Sequence, residues 1–177
     1  MTDKTLLHPG DRFPALTLAR PGGGTLRLPD DLAGHFGVIL CYRGSWCPYC
    51  NAQLRAFQRS LDRFADIGIL VAALSVDDEA ATKNLIAKSG LQFLIGHSAD
   101  ARAVAAATGA FVNDDPVYLQ STGFILDPSG RVVIGVYSSG GIGRLAPGDV
   151  IGLVRYLREH AHASQSPPTA PTPQRTR

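Results

Sequence analysis

Val38 to Phe57 reads VILCYRGSWCPYCNAQLRAF: an apolar run of strand length, a break at Arg43-Gly44-Ser45, then Trp46-Cys47-Pro48-Tyr49-Cys50 opening a segment of helical periodicity. A strand stops where a helix begins, with two thiols at the junction. Pro48 suits the first helical position, because its missing N–H would be unsatisfied there and its φ is already helical. Cys47 is therefore expected at the N-cap, with free backbone donors aimed at its sulfur. A thiol reacts as its thiolate, and a helix N-terminus or a neighbouring cation lowers a pKa that is otherwise near about 8.5. The helix dipole contributes about 0.3–1 kcal/mol, up to about 2, against roughly 1.4 kcal/mol per pKa unit, so it lowers the pKa by about one unit at most. Further depression needs a cation, and Arg43 is the only one in the turn. Cys50 lies three residues on, where helical neighbours have Cβ atoms about 5–6 Å apart, close enough for a small adjustment to join the sulfurs. Cys47 is read as the attacking thiol and Cys50 as the resolving one.

A bare C-x-x-C also suits half a zinc site or a structural disulfide. No second C-x-x-C or Cys/His pair completes a tetrahedral site, and His35 and His97 are isolated, so a redox pair is the favoured reading and no metal is assigned.

The run Cys41-Tyr42-Arg43-Gly44-Ser45-Trp46-Cys47-Pro48-Tyr49-Cys50 resembles the signature of the peroxiredoxin-like (AhpC/TSA, redoxin) branch of the thioredoxin superfamily. Pro9 to Leu18 (PGDRFPALTL) is similar to that branch's G-D-x-x-P-x-x-x-L opening, and Gly123 to Arg131 (GFILDPSGR) to its F-[IV]-[IL]-D-x-x-G hairpin. The matches run from about Pro9 to His160. The resemblance implies an α/β thioredoxin-like fold, with a central mixed β-sheet flanked by helices and an N-terminal β-hairpin extension. It implies a thiol-dependent antioxidant oxidoreductase that reduces hydroperoxides through Cys47 and Cys50 with Arg43 in support. Substrate contacts would come from Trp46, Pro48, Tyr49, Ser121 and Thr122, with no cofactor.

The chain departs from its relatives at named positions. The family's P-x-x-x-[TS]-x-x-C, counted back from Cys47, meets Leu40 and Gly44, and the distant arginine that stabilises the peroxide in such sites is not identified by the motif. Thioredoxin-like proteins face the cysteines with a cis-proline. That place is held by Ser121, whose peptide is expected trans because a non-proline cis bond costs about 3–4 kcal/mol. Their buried carboxylate, six residues before the first cysteine, is replaced by Cys41, which is read as inert strand packing, with a third redox thiol as the alternative.

At 177 residues, 45% hydrophobic and 18% charged, the chain fits a single domain. It is read as one thioredoxin-like domain over residues 1–161 and a disordered Pro/Ser/Thr-rich tail over 162–177. A net charge of +2 without a basic run argues against nucleic acid and anionic membranes. Met1 to His8 shows no secretory pattern and no apolar run reaches about 18 residues, so a cytoplasmic protein is expected.

Periodicity places strands at Ala15–Leu18 and Thr25–Leu28 around a glycine turn, at Phe36–Tyr42, Ile69–Leu74, Leu91–Ile95, Thr122–Leu126 and Arg131–Tyr137. Helices are expected from Cys47 to about Ala65, from Ser75-Val76-Asp77-Asp78-Glu79 to Ser89, over Ala99–Thr108, and from Pro147 to about Glu159. Phe111–Gln120 is read as a loop that approaches the thiols, and Ser138–Gly143 as a plain connector, with a cover over the site or a small-thiol contact as the alternative. The alternatives to a peroxidase are a thioredoxin- or glutaredoxin-like thiol-disulfide oxidoreductase, and a non-enzymatic redox-sensing module. Partners are a hydroperoxide or disulfide substrate and an external thiol reductant, thioredoxin-like or of low molecular weight.

Overall fold

The computed structural model describes residues 6–163. Its centre is a five-stranded sheet built from β3 (Phe36–Cys41), β4 (Ile69–Leu74), β5 (Leu94–Gly96), β8 (Thr122–Leu126) and β9 (Val132–Tyr137), in the order β5-β4-β3-β8-β9. β3, β4 and β5 run parallel, whereas β8 is antiparallel to both β3 and β9. The sheet is mixed, as expected.

The unbroken apolar runs of β3 and β4 follow from burial on both faces. Successive side chains of a strand point to opposite faces, so Val38 and Leu40 join one core while Ile39 and Cys41 join the other. The first core is closed by α1 (Pro48–Gln58), α2 (Leu61–Asp66), α3 (Glu79–Ser89) and α5 (Pro147–Ala163). The second is closed by the hairpin of β1 (Leu16–Ala19) and β2 (Thr25–Leu28), and by α4 (Ala101–Thr108).

Local chemistry sets the helix ends. The Asp78 carboxylate accepts the Ala81 N–H at 2.8 Å, and Gly90 ends α3 with a left-handed φ of 61° that suits a residue without Cβ. The β8–β9 turn closes with the Gly130 N–H donating to the Asp127 carbonyl at 2.9 Å, the bond expected of a type I turn.

Five expectations need correction. The helix from Cys47 to Ala65 is two helices, interrupted at Arg59 and Ser60, where the Ser60 hydroxyl donates back to the Ala56 carbonyl at 3.1 Å and competes with the helical ladder. The apolar stripe survives the break, since Leu54, Phe57 and Phe64 are all fully buried and the two phenyl rings lie 5.6 Å apart. The Phe111–Gln120 loop is a hairpin, β6 (Val112–Asp114) with β7 (Val117–Leu119), folded at the Asn113-Asp114-Asp115-Pro116 cluster. The strand expected at Leu91–Ile95 is shifted to Leu94–Gly96, and the helix expected from Ala99 starts at Ala101, where Asp100 caps the Arg102 and Ala103 N–H groups. Finally the helix expected to end near Glu159 runs on to Ala163, and residues 164–177 of the expected tail lie outside the described residues.

Phe57 fixes α1 to the sheet and α2 to α1. Phe57→Ala is expected to lower the unfolding free energy by about 3–5 kcal/mol, read as a lower urea midpoint at unchanged slope.

Candidate active site

The loop between β3 and α1 is held by three contacts. The Ser45 N–H donates to Asp77 Oδ2 at 2.7 Å, Asn51 Nδ2 donates to the Ser45 carbonyl at 2.9 Å, and the Cys47 N–H donates to the Gly44 carbonyl at 3.1 Å. Gly44 is required by space: a Cβ there would run into the Trp46 indole and lie 3.1 Å from Asp77 Oδ1. Thus anchored, Cys47 takes extended backbone angles as the N-cap of α1 with Pro48 at the first turn, and its sulfur accepts the Cys50 N–H at 3.4 Å. The expected cap is the observed one.

Two guanidinium groups converge on the sulfurs. Arg43 Nη1 lies 3.8 Å from Cys47 Sγ while its Nη2 donates to the Tyr118 hydroxyl at 2.9 Å. Its planar group rests 4.9 Å from the Trp46 ring centre and 5.2 Å from that of Tyr118, and the two rings meet edge to face at 5.1 Å. Arg144, on the segment before α5, places Nη2 3.3 Å from Cys50 Sγ and 3.8 Å from Cys47 Sγ. Cys50 Sγ also accepts the Arg43 N–H at 3.3 Å.

The two thiols are driven apart in acidity. Burial pushes the Cys47 pKa up, but hydrogen bonds from the Cys50 thiol and N–H, the Arg144 charge and the Arg43 guanidinium outweigh it and hold Cys47 below the ordinary thiol range. For Cys50, burial and the hydrogen bond with Cys47 act upward and prevail over the Arg43 N–H and Arg144, so it stays above that range. The surroundings favour the anion on Cys47 and the proton on Cys50. Cys41 is pushed up to about 12 by burial alone, and it belongs to the opposite core. A third redox thiol beneath Cys50 is therefore excluded by the face it occupies.

Of the residues singled out in the sequence, Cys47, Cys50 and Arg43 meet. Trp46 and Tyr49 border them, both more than half exposed. Pro48 serves as the first helical residue. Ser121 is buried at the entrance to β8, its carbonyl accepting the Ser138 N–H at 3.0 Å, and its peptide is trans: among the described residues the cis bonds are Leu28–Pro29 and Asp115–Pro116. Thr122 does not belong to the site. It stands opposite Cys41 in the β3–β8 register, and opposed residues of an antiparallel pair share a face, so its side chain is turned away from the thiols.

Sequence reasoning missed Arg144, Tyr118, Gln53 and Asp77. Arg144 is separated from Cys47 by 97 residues and sits beyond a glycine-rich stretch with no periodicity, so spacing carried no signal for it. Tyr118 was foreshadowed by the expectation that Phe111–Gln120 approaches the thiols. Beside Arg144, a shallow groove of about 300 Å³ runs along Tyr49, Ala52, Ala56, Ile142 and Pro147.

Comparison with known proteins identifies the family and the fold. The description "AhpC/TSA family" matches residues 9–134. A protein of Mycobacterium tuberculosis (strain ATCC 25618 / H37Rv), called a putative peroxiredoxin, is 29% identical over 153 residues, covering 82% of this chain and 95% of its own length. Among solved structures, the peroxidoxin BcpB of Mycobacterium tuberculosis superposes with a TM-score of 0.74 at 18% identity, over 86% of this chain and 99% of its own. AhpC of the same organism superposes with a TM-score of 0.72 at 22% identity, over 88% and 96%. At those identities the superpositions speak for the fold, whereas the sequence match spans most of the chain: this protein belongs to the AhpC/TSA family, and with it to the thiol-dependent peroxidases of thioredoxin-like fold.

Proposed function

We propose that the protein reduces hydroperoxides with Cys47 as the peroxide-attacking thiolate and Cys50 as its intramolecular resolving partner. The observation that carries this reading is a single guanidinium, Arg144, within 3.8 Å of one sulfur and 3.3 Å of the other, beside a helix N-cap made of the first sulfur. The Cys47 thiolate attacks the distal oxygen of ROOH, the O–O bond breaks, and the alkoxide leaves as ROH after taking a proton. Cys47 becomes a sulfenic acid. Cys50 then attacks that sulfur, its proton leaves with the hydroxyl as water, and a Cys47–Cys50 disulfide remains. An external dithiol returns both sulfurs to the reduced state.

Charge develops on the leaving oxygen, and fixed donors there stabilise the transition state without reorganising. Arg144 supplies the role that the family's distant arginine plays, and Arg43 supplements it. Gly44 stands where relatives carry a hydroxyl, so a bound peroxide lacks that donor here. Arg43 Nε, buried without a hydrogen-bond partner, is the donor we assign in its place, since buried N–H groups otherwise find acceptors. Trp46, Tyr49 and Ile142, large apolar groups on the surface, lie beside Arg43 and Arg144 and suit the docking of a thioredoxin-like reductant. We assign the protein to the reducing cytoplasm, where thiols of this kind are kept active. No helix among the described residues is long and apolar enough to cross a membrane.

Three outcomes are expected. Because the Cys47 pKa is lowered, its thiolate persists as pH falls below the ordinary thiol range, and peroxide consumption declines only when Cys47 itself is protonated. Stopped-flow rates against pH check this, and a rate no faster than free cysteine at neutral pH overturns it. Cys50→Ser should accumulate one sulfenic acid per Cys47, trapped by dimedone and weighed by mass spectrometry; a mixed disulfide with a protein substrate would indicate a disulfide reductase instead. Arg144→Ala should lower kcat/KM for hydrogen peroxide by roughly a hundredfold while leaving the far-ultraviolet circular dichroism unchanged.

A further inference from the structure

Gln53 follows Cys50 by one turn on the same helix and is 8% exposed. Both ends of its amide are engaged with a distant segment. Oε1 accepts from Arg144 Nη1 at 3.0 Å, and Nε2 donates to the Leu145 carbonyl at 3.0 Å. The third edge of the guanidinium, Nε, donates to the Gly141 carbonyl at 3.2 Å. Arg144 is thus fixed at two nitrogens of its guanidinium, and the remaining one, Nη2, faces the sulfurs.

The segment that carries Arg144 joins β9 to α5 without regular structure of its own, and its Ile142 side chain is 75% exposed. The Ser138 hydroxyl gathers its first half, donating to the Ile142 carbonyl and accepting the Gly140 N–H. Gly141 passes so near Arg43 that a Cβ would lie 2.9 Å from Nη1. The segment's buried apolar anchor is Leu145, which packs in the core against Gly123. Leu145 places the backbone, whereas the polar tie from Gln53 links the guanidinium of Arg144 directly to the helix that bears the cysteines.

We infer that Gln53 is a positioning residue that sets Arg144 against both sulfurs and, being uncharged, leaves the guanidinium's charge to the Cys47 thiolate. The inference deepens the peroxidase reading and rests on it for its meaning in catalysis. A carboxylate at residue 53 would accept the same hydrogen bond but would neutralise the cation as a bidentate partner. Among the described residues no carboxylate forms an ion pair with Arg43 or Arg144. The groups that face the thiol pair are Arg43 from the preceding turn, Arg144 from the segment before α5, Tyr42 from the end of β3 and, through the Ser45 N–H, Asp77 from beyond β4.

The test uses the full chain and reads the pH midpoint of Cys47 alkylation by iodoacetamide, resolved by peptide mass, in wild type, Gln53→Met, Arg144→Met and the double variant. Gln53→Met should move the midpoint upward, towards that of Arg144→Met, and should move it no further when added to Arg144→Met. The same variant should lower kcat/KM for hydrogen peroxide about tenfold, as loosened positioning does. A wild-type midpoint in Gln53→Met, or a shift of equal size without Arg144, overturns the inference. Should Gln53→Met fail to fold, Gln53→Glu keeps the shape and the acceptor, and an unchanged midpoint there overturns it equally. Alkylation needs no peroxide, so wild-type protein inert towards hydroperoxides would overturn the functional reading while this measurement still decides the role of Gln53.

Discussion

The sulfur of Cys47 closes the open end of a helix. It accepts the Cys50 N–H, one of the four donors that a helix start leaves without an intrahelical partner, and that places the reacting atom where the backbone already favours negative charge. The rest of the site keeps this arrangement in place. The parallel pairing of β3 with β4 brings Asp77 beside the loop that leads into α1, and its carboxylate holds the Ser45 N–H. Phe57 and Leu54 seat the same helix in the core, so the cap, the loop and the sheet settle together.

Three chemically identical side chains meet three different fates, and the alternation of a β-strand accounts for most of the difference. Cys41 ends β3 facing the core beneath the β1–β2 hairpin and α4, away from any cation, and its thiol is pushed to about 12. Cys47 and Cys50 lie on the other side, buried as well, yet within reach of two guanidinium groups. Burial raises all three. What separates them is the company each keeps: Cys47 and Cys50 each accept a backbone N–H, and between them the difference lies in burial and in the hydrogen bond that joins the two sulfurs, which favours the anion on Cys47 and the proton on Cys50.

Two arginines beside an apolar core would be costly if each were stripped of water without a partner. Each is instead partly solvated by the protein: Arg43 lies against Trp46 and Tyr118 and donates to the tyrosine hydroxyl, and Arg144 is supported by the Gln53 oxygen and the Gly141 carbonyl. These partners are neutral. The positive charge is therefore held in place while remaining available to a thiolate or to oxygen leaving as an anion, which is the electrostatic requirement of peroxide cleavage.

Some of this was written in local sequence. The strand-to-helix junction, Cys47 as cap, Pro48 in the first turn, Cys50 a turn later and the two-faced burial of Ile69–Leu74 all follow from short-range rules of backbone geometry and periodicity, and the structure carries each of them. The break at Arg59 and Ser60 was not legible, because the stripe of Leu54, Phe57, Leu61 and Phe64 keeps its spacing across it. Nor was the face of Thr122, which depends on register against Cys41, a property of two strands 81 residues apart that neither encodes alone. Arg144, Tyr118 and Gln53 became part of the site only when β7, the segment before α5 and the first turns of α1 were packed together. The cysteine pair, its helix cap and the Arg43 charge were thus set by neighbours along the chain, while the Arg144 charge that completes the lowering of the Cys47 pKa arrived through tertiary contact, since hydrogen bonds and Coulomb forces act over distances in space that sequence separation does not measure.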